Sequence, residues 1–216
     1  EECVQIDDHI MYLDKQDSLW LSINGVHEKF ETDLVKQEIK KGDVVIDIGA
    51  NIGYYTLIFA KLVGDTGKVF AFEPDPTNFE LLRKNIEVNG YKNVTLKQKA
   101  LSDKEGKVVL TLIKQNTASH HISSEQQAPK NSIQVDTITA DDYFKNFEHK
   151  IDFIKMDVEG AESKVLSGMT NLLKNNVDLK MMVEYNPDAI RNMGLEPASY
   201  LELLVTNGFR IMDIDR

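Results

Sequence analysis

From residue 43 onward, short and almost wholly apolar runs alternate with stretches of helical periodicity, and this alternation constrains the fold more than any other feature. "DVVIDI" (43–48), "GKVFAFE" (67–73), "NVTLKQKAL" (93–101), "IDFIKMD" (151–157), "DLKMMVEY" (178–185) and "FRIMDID" (209–215) read as strands. "IGYYTLIFAKLV" (52–63), "PTNFELLRKNIEVNG" (76–90), "AESKVLSGMTNLLKNN" (161–176) and "PASYLELLVTNG" (197–208) read as helices. Strands that are apolar on both faces need cover on both faces, so the expected class is α/β: a mostly parallel sheet in a three-layer α/β/α sandwich. Right-handed crossovers then bring the strand C-termini to one edge, where ligands bind.

The middle and the beginning of the chain differ. "KVVLTLI" (107–113) and "SIQVDTI" (132–138) read as strands around a polar loop, 114–131. In residues 1–42 an alternating segment suggests one or two antiparallel strands, and "FETDLVKQEIKKG" a helix. We therefore expect an N-terminal β/α extension over residues 1–42, part of the same unit as a main domain over 43–216.

Function narrows at the turn "DIGANIG" (47–53). Gly49 and Gly53 let a ligand approach the backbone after a strand, as in dinucleotide sites. Yet Asp47 lies in that turn, and Asn51 takes the place of a middle glycine. A pyrophosphate seeks bare amides at a helix N-terminus and is repelled by a carboxylate. An acid there suits a cationic ligand, and S-adenosylmethionine carries both a sulfonium and an ammonium group. Glu73 follows Gly53 by about twenty residues at the end of the next strand, where an acid accepts ribose hydroxyls. A nicotinamide-dependent (NAD) oxidoreductase is the alternative use of this unit. It would prefer a third glycine and no Asp47.

"DVVIDIGANIGYYT", "VFAFEPDP", "KALSD" and "IDFIKMDVEGAE" together resemble the FkbM family of S-adenosylmethionine-dependent methyltransferases, over roughly residues 28–215. The resemblance implies a Rossmann-like class I methyltransferase fold. It places Asp47, Gly49, Asn51 and Gly53 at the methionine end of the cofactor, with Ala50 and Tyr54 beside them. It gives Glu73 the ribose and Pro74 the adenine edge, and packs Ala100 and Leu101 on the adenine. Lys99 stands where many class I enzymes carry an Asp for the adenine amino group, so Ser102 or backbone is expected there. Phe30 and Glu31 match an aromatic–acid pair before the first helix, which adds Glu31 to the cofactor set.

The expected reaction is O-methylation of a hydroxyl on a small molecule or sugar, with S-adenosylhomocysteine as product. An oxygen acceptor benefits from a base. Asp157, Glu159 and His121 are the catalytic candidates; Asp157 is also counted with the cofactor. Asp157, Glu184 and Asn186 could together hold a divalent cation such as magnesium. A non-catalytic domain that binds the same cofactor is a further alternative; it would lack an acceptor pocket.

Composition limits the partners. The net charge of −10 argues against binding nucleic acid through phosphate neutralisation. An Asn/Asp-Pro-Pro-aromatic run, expected of enzymes acting on base amines, is replaced by "MDVEG". Cys3 is the sole cysteine, which excludes an internal disulfide and thiolate zinc clusters. Neither a membrane-length apolar stretch nor a secretion signal is read, so a cytoplasmic location without membrane partners is expected, and a homodimer is compatible with it.

Overall fold

The computed structural model describes residues 3–113, 116–123 and 129–214. The N-terminal extension forms the hairpin β1 (Cys3–Ile6) and β2 (His9–Tyr12), a single turn α1 (Leu21–Asn24), and α2 (Lys29–Glu38). Strict alternation follows through β3 (Val44–Ile48), α3 (Tyr54–Val63), β4 (Lys68–Phe72), α4 (Pro76–Val88) and β5 (Val94–Lys97). The middle holds β6 (Ala100–Leu101), β7 (Gly106–Thr111), β8 (His121–Ser123), β9 (Ser132–Ile138) and α5 (Ala140–Phe144). The C-terminal part runs β10 (Phe153–Met156), α6 (Glu162–Ser167), α7 (Thr170–Asn175), β11 (Lys180–Val183), α8 (Pro187–Asn192) and α9 (Pro197–Thr206).

The central sheet is wholly parallel, in the order β11-β10-β3-β4-β5. Its two faces bury different cores, as the pleat requires. Val45, Val69, Ala71 and Phe153 pack with Leu57, Leu82 and Val35 of the helices on one side. Ile46, Phe70, Phe72, Ile154 and Met156 pack with Phe144, Leu166, Leu173 and Tyr200 on the other. This is the expected three-layer α/β/α Rossmann-like fold. The chain leaves β3 toward β4 and β5, and later returns to β10 on the opposite side of β3. The β3–β10 boundary is therefore the switch point at which α/β sheets open a ligand crevice.

Three elements differ from the sequence reading. The run 93–101 divides into β5 and β6, because the polar residues Gln98 and Lys99 carry the chain out of the central sheet. β6 then joins a second sheet in the order β6-β9-β7-β8, whose β7–β8 and β7–β9 pairs are antiparallel. The helix read over 161–176 breaks at Gly168, where a Cβ would lie 1.9 Å from the Ser102 carbonyl oxygen. Residues 209–214 form no strand. The Phe209 amide closes the end of α9 on the Leu204 carbonyl, and Ile211 and Met212 stay exposed. Asp215 lies outside the described residues.

Candidate active site

The turn after β3 is built by main-chain constraints. Gly49 has φ +80°, and a Cβ there would sit 1.9 Å from the Asp157 carbonyl oxygen. Backbone thus meets backbone at the switch point. Gly53 serves packing, since its Cβ would meet Leu82 Cδ1 of α4 at 2.6 Å. Between them Asn51 adopts a left-handed φ of 50°, and its Oδ1 accepts from the Ile52 amide at 2.6 Å. Glu73, from the end of β4, fastens the turn. Its Oε2 accepts from the Asn51 amide and its Oε1 from the Asp75 amide, both at 2.8 Å. Burial pushes the Glu73 carboxyl up to about 8, against the pull of those two amides.

Asp47 is fully buried on the same crevice. Its Oδ2 accepts from the Thr56 hydroxyl at 2.5 Å, while its Oδ1 has no hydrogen-bond partner among the described residues. Burial pushes its carboxyl up; the charge of Lys155 opposes this. Lys155 stands directly opposite Asp47 in the β10–β3 register and is itself buried. Its Nζ donates to Asp157 Oδ2 at 3.1 Å and lies 4.7 Å from the centroid of the Tyr55 ring. Burial pulls the ammonium down, but Asp157, Asp47 and Glu28 together hold it above the ordinary lysine value.

The exit of β10 supplies the acids. Ligand oxygens of Asp157, Glu159 and Glu184 all lie within 4.8 Å of one another. Burial, then Asp157 and Glu162, push Glu159 up to about 7. Burial, then Asp157 and Glu159, push Glu184 up to about 8, and its Oε2 is buried without a partner among the described residues. Glu162 turns back onto the loop, its Oε1 accepting from the Val158 and Gly160 amides at 3.2 Å. That contact accounts for the acid closing the run "VEGAE". Asn186 stands apart, capping α8 by accepting from the Ala189 amide at 3.1 Å. Glu159 joins Asp157 and Glu184 in the carboxylate cluster.

These elements enclose a cavity of about 250 Å³. Asp47, Gly49, Ala50, Asn51, Tyr54 and Glu73 line it on the β3–β4 side, and Pro74, Ala100 and Leu101 extend it toward β6. Asp157, Glu159 and Glu184 close the β10–β11 side. The roof comes from the N-terminal extension and the 116–120 segment, joined where the Thr117 amide donates to Ser18 Oγ at 2.9 Å. Other expected residues lie elsewhere. Glu31 is in the first turn of α2 away from the cavity, whereas Glu28 lines it and accepts from the Tyr55 hydroxyl at 2.9 Å. Ser102 is buried, its hydroxyl donating to Asp103 Oδ1. His120 lines the cavity, and its Nδ1 accepts from the Ile113 amide at 3.0 Å. His121 faces an adjoining groove of about 1100 Å³, with Lys164, Asn186 and Arg191. Glu159 borders both spaces.

Residues 47–211, from Asp47 of the turn through the acids of β10 and beyond α9, match the methyltransferase FkbM domain. The chain belongs to the FkbM methyltransferase family. Its cofactor is S-adenosylmethionine, and the nicotinamide alternative is left without support. The FkbM domain is 33% identical over 145 residues to the hexuronic acid methyltransferase AglP of Haloferax volcanii, covering 66% of this chain and 56% of that protein. It is 26% identical over 144 residues to Methyltransferase 1 of Beauveria bassiana, covering 58% of this chain and 57% of that protein. The chain thus spans little more than half the length of these relatives. In fold it is similar to the precorrin-6y C5,15-methyltransferase of Geobacter metallireducens, with TM-score 0.54 at 16% identity, covering 96% of this chain and 80% of that one.

The FkbM cavity suits a cationic cofactor on its own chemistry. Among the described residues Asp47 presents a buried oxygen with no partner, and Glu73 is a second buried acid on the same cavity. Sequence reasoning passed over Lys155, His27 and Glu28. The signal for Lys155 was present: a lysine amid the apolar run "IDFIKM" is a charge committed to the interior. His27 and Glu28 had no comparable mark, since only the fold of the extension brings them to the cavity.

Proposed function

We propose that this FkbM domain transfers the methyl group of S-adenosylmethionine to a hydroxyl oxygen of a sugar or related small molecule. When bound, the cofactor supplies an activated methyl on a positively charged sulfur. The observation that carries the reading is the place of Glu159, at the common wall of the cavity and the adjoining groove. A cofactor in the first and an acceptor in the second would meet at this carboxyl. Asp47 and the turn 49–51 would hold the methionine end, Glu73 the ribose, and Pro74, Ala100 and Leu101 the adenine. Glu159, raised to about 7, suits removal of the acceptor's proton near neutral pH. Asp157, held by Lys155, faces the same point. The relative named a hexuronic acid methyltransferase supports a sugar acceptor.

The extension would act as part of the site, because Ser18, Leu19, His27 and Glu28 line the cavity and would help to keep water from a bound cofactor. Nucleic acid does not belong to this reading, given the net charge of −10. No helix among the described residues is long and apolar enough to cross a membrane. A cytoplasmic setting belongs to the same proposal. A second reading of the acids is favoured by one observation, the convergence of Asp157, Glu159 and Glu184 oxygens within 4.8 Å. Such a set suits a hard divalent cation, which would orient the acceptor hydroxyl and ease its ionisation.

Calorimetric titration with S-adenosylmethionine, S-adenosylhomocysteine and NAD tests the cofactor site. We expect binding of the first two alone, abolished by Asp47→Ala and weakened by Glu73→Ala. Binding of NAD alone overturns the proposal. Turnover of uronic acid glycosides that persists in EDTA decides for Glu159 as base; turnover restored only by magnesium decides for the cation.

A further inference from the structure

Lys155 is the least expected group in the cavity. Position 155 lies in the middle of the fold, paired in register with Asp47, and its ammonium is the buried positive charge facing the carboxylates of Asp157, Asp47 and Glu28. The Tyr55 ring, 4.7 Å away, presents its electron-rich face to the same ammonium. A buried lysine with these neighbours keeps its proton, so it serves neither as base nor as nucleophile. Its effect is that of a fixed charge in a site of low dielectric.

Methyl transfer changes the charge that this site must hold. The S–CH3 bond breaks with its electron pair staying on sulfur, the O–CH3 bond forms, and the hydroxyl proton passes to the base. A sulfonium is thereby replaced by a neutral thioether. A fixed cation beside Asp47 opposes the sulfonium and leaves the thioether untouched. We propose that Lys155 is a charge-discriminating residue, which weakens the hold on S-adenosylmethionine relative to S-adenosylhomocysteine and so favours the departure of positive charge from sulfur. Asp47, Asp157 and Glu28 outnumber it, so the site still accepts a cationic cofactor; Lys155 trims their excess. This inference rests on the cofactor placement proposed above.

The test is calorimetry with both cofactor forms on the wild type, Lys155→Met, Lys155→Gln and Lys155→Arg, with circular dichroism confirming the fold of each. Removing the charge is expected to raise the affinity ratio of S-adenosylmethionine to S-adenosylhomocysteine about tenfold. Lys155→Arg, which keeps the charge, should leave the ratio within about twofold of wild type. A loss of packing alone would weaken both ligands together, so an unchanged ratio in a folded neutral variant overturns the proposal. If neither neutral variant folds, Lys155→Arg decides: a ratio moved by more than about twofold although the charge is kept overturns the proposal. A wild type that binds neither ligand refutes the cofactor placement instead.

Discussion

The turns after β3 and after β10 are two versions of one device. Each carries a non-glycine residue in the left-handed region, Asn51 at φ 50° and Glu159 at φ 53°. Each has a glycine close behind, Gly53 at φ 94° and Gly160 at φ 98°. In each, a glutamate accepts amide hydrogens of the loop: Glu73 from Asn51, Glu162 from Val158 and Gly160. The difference lies in what remains. After β3 the left-handed side chain is an amide tied to its own backbone, and the turn is closed. After β10 it is a carboxyl set beside Asp157 and Glu184, and among the described residues no loop amide donates to it. On the reading proposed above, the same scaffold yields a holding turn in one place and a reactive turn in the other.

The largest expected effect separates the two functions. Glu159→Gln should lower kcat about 100-fold or more while S-adenosylhomocysteine affinity stays within about twofold. For the wild type, log kcat/KM should climb with pH and level off around 7, as the raised Glu159 carboxyl loses its proton. That rise should vanish in the variant; a parallel loss of binding would erase the distinction between the turns.

Gly49→Ala strikes the contact that joins them. A Cβ 1.9 Å from the Asp157 carbonyl oxygen, at φ +80°, must displace one turn or the other. Urea unfolding should show a loss of about 2–4 kcal/mol.

Glu73→Gln sharpens the holding turn. A carboxyl whose folded value is raised contributes stability that is present below its unfolded value and is lost as pH rises through the folded one. Between about 4.5 and about 8 the wild type should therefore lose stability relative to Glu73→Gln, read as Tm against pH. The smallest effect belongs to Asn51→Gly. Relief of left-handed strain and loss of the Ile52 contact offset each other, so stability should move by less than about 1 kcal/mol.

The sequence disclosed the parts of this molecule whose causes are local. The apolar runs that become β3, β4 and β10 are continuous because both faces of the sheet are covered. Asp47 and Glu73 were legible because an acid in a glycine turn, and another a fixed distance beyond, have a chemical reason. What escaped was decided across the chain. The run 93–101 reads as one strand, and only the second sheet's demand for β6 divides it. Gly168 resembles any helix glycine until Ser102 is seen to pass over it. The pair His120–His121 carries no sign of which ring enters the cavity, since β8 sets that by pairing with β7. "FRIMDID" has the pattern of a strand, but Ile211 and Met212 remain in solvent.

The contact of Gly49 with the Asp157 carbonyl has a metrical consequence. Side chains adjust by changing rotamer, but two stretches of main chain in van der Waals contact have no such freedom. The separation between the half of the cavity lined by Asp47 and the half lined by Asp157 and Glu159 is thereby fixed by atomic radii alone. It works as a gauge block does, holding one dimension constant while the loops around it are free to be recut for different acceptors.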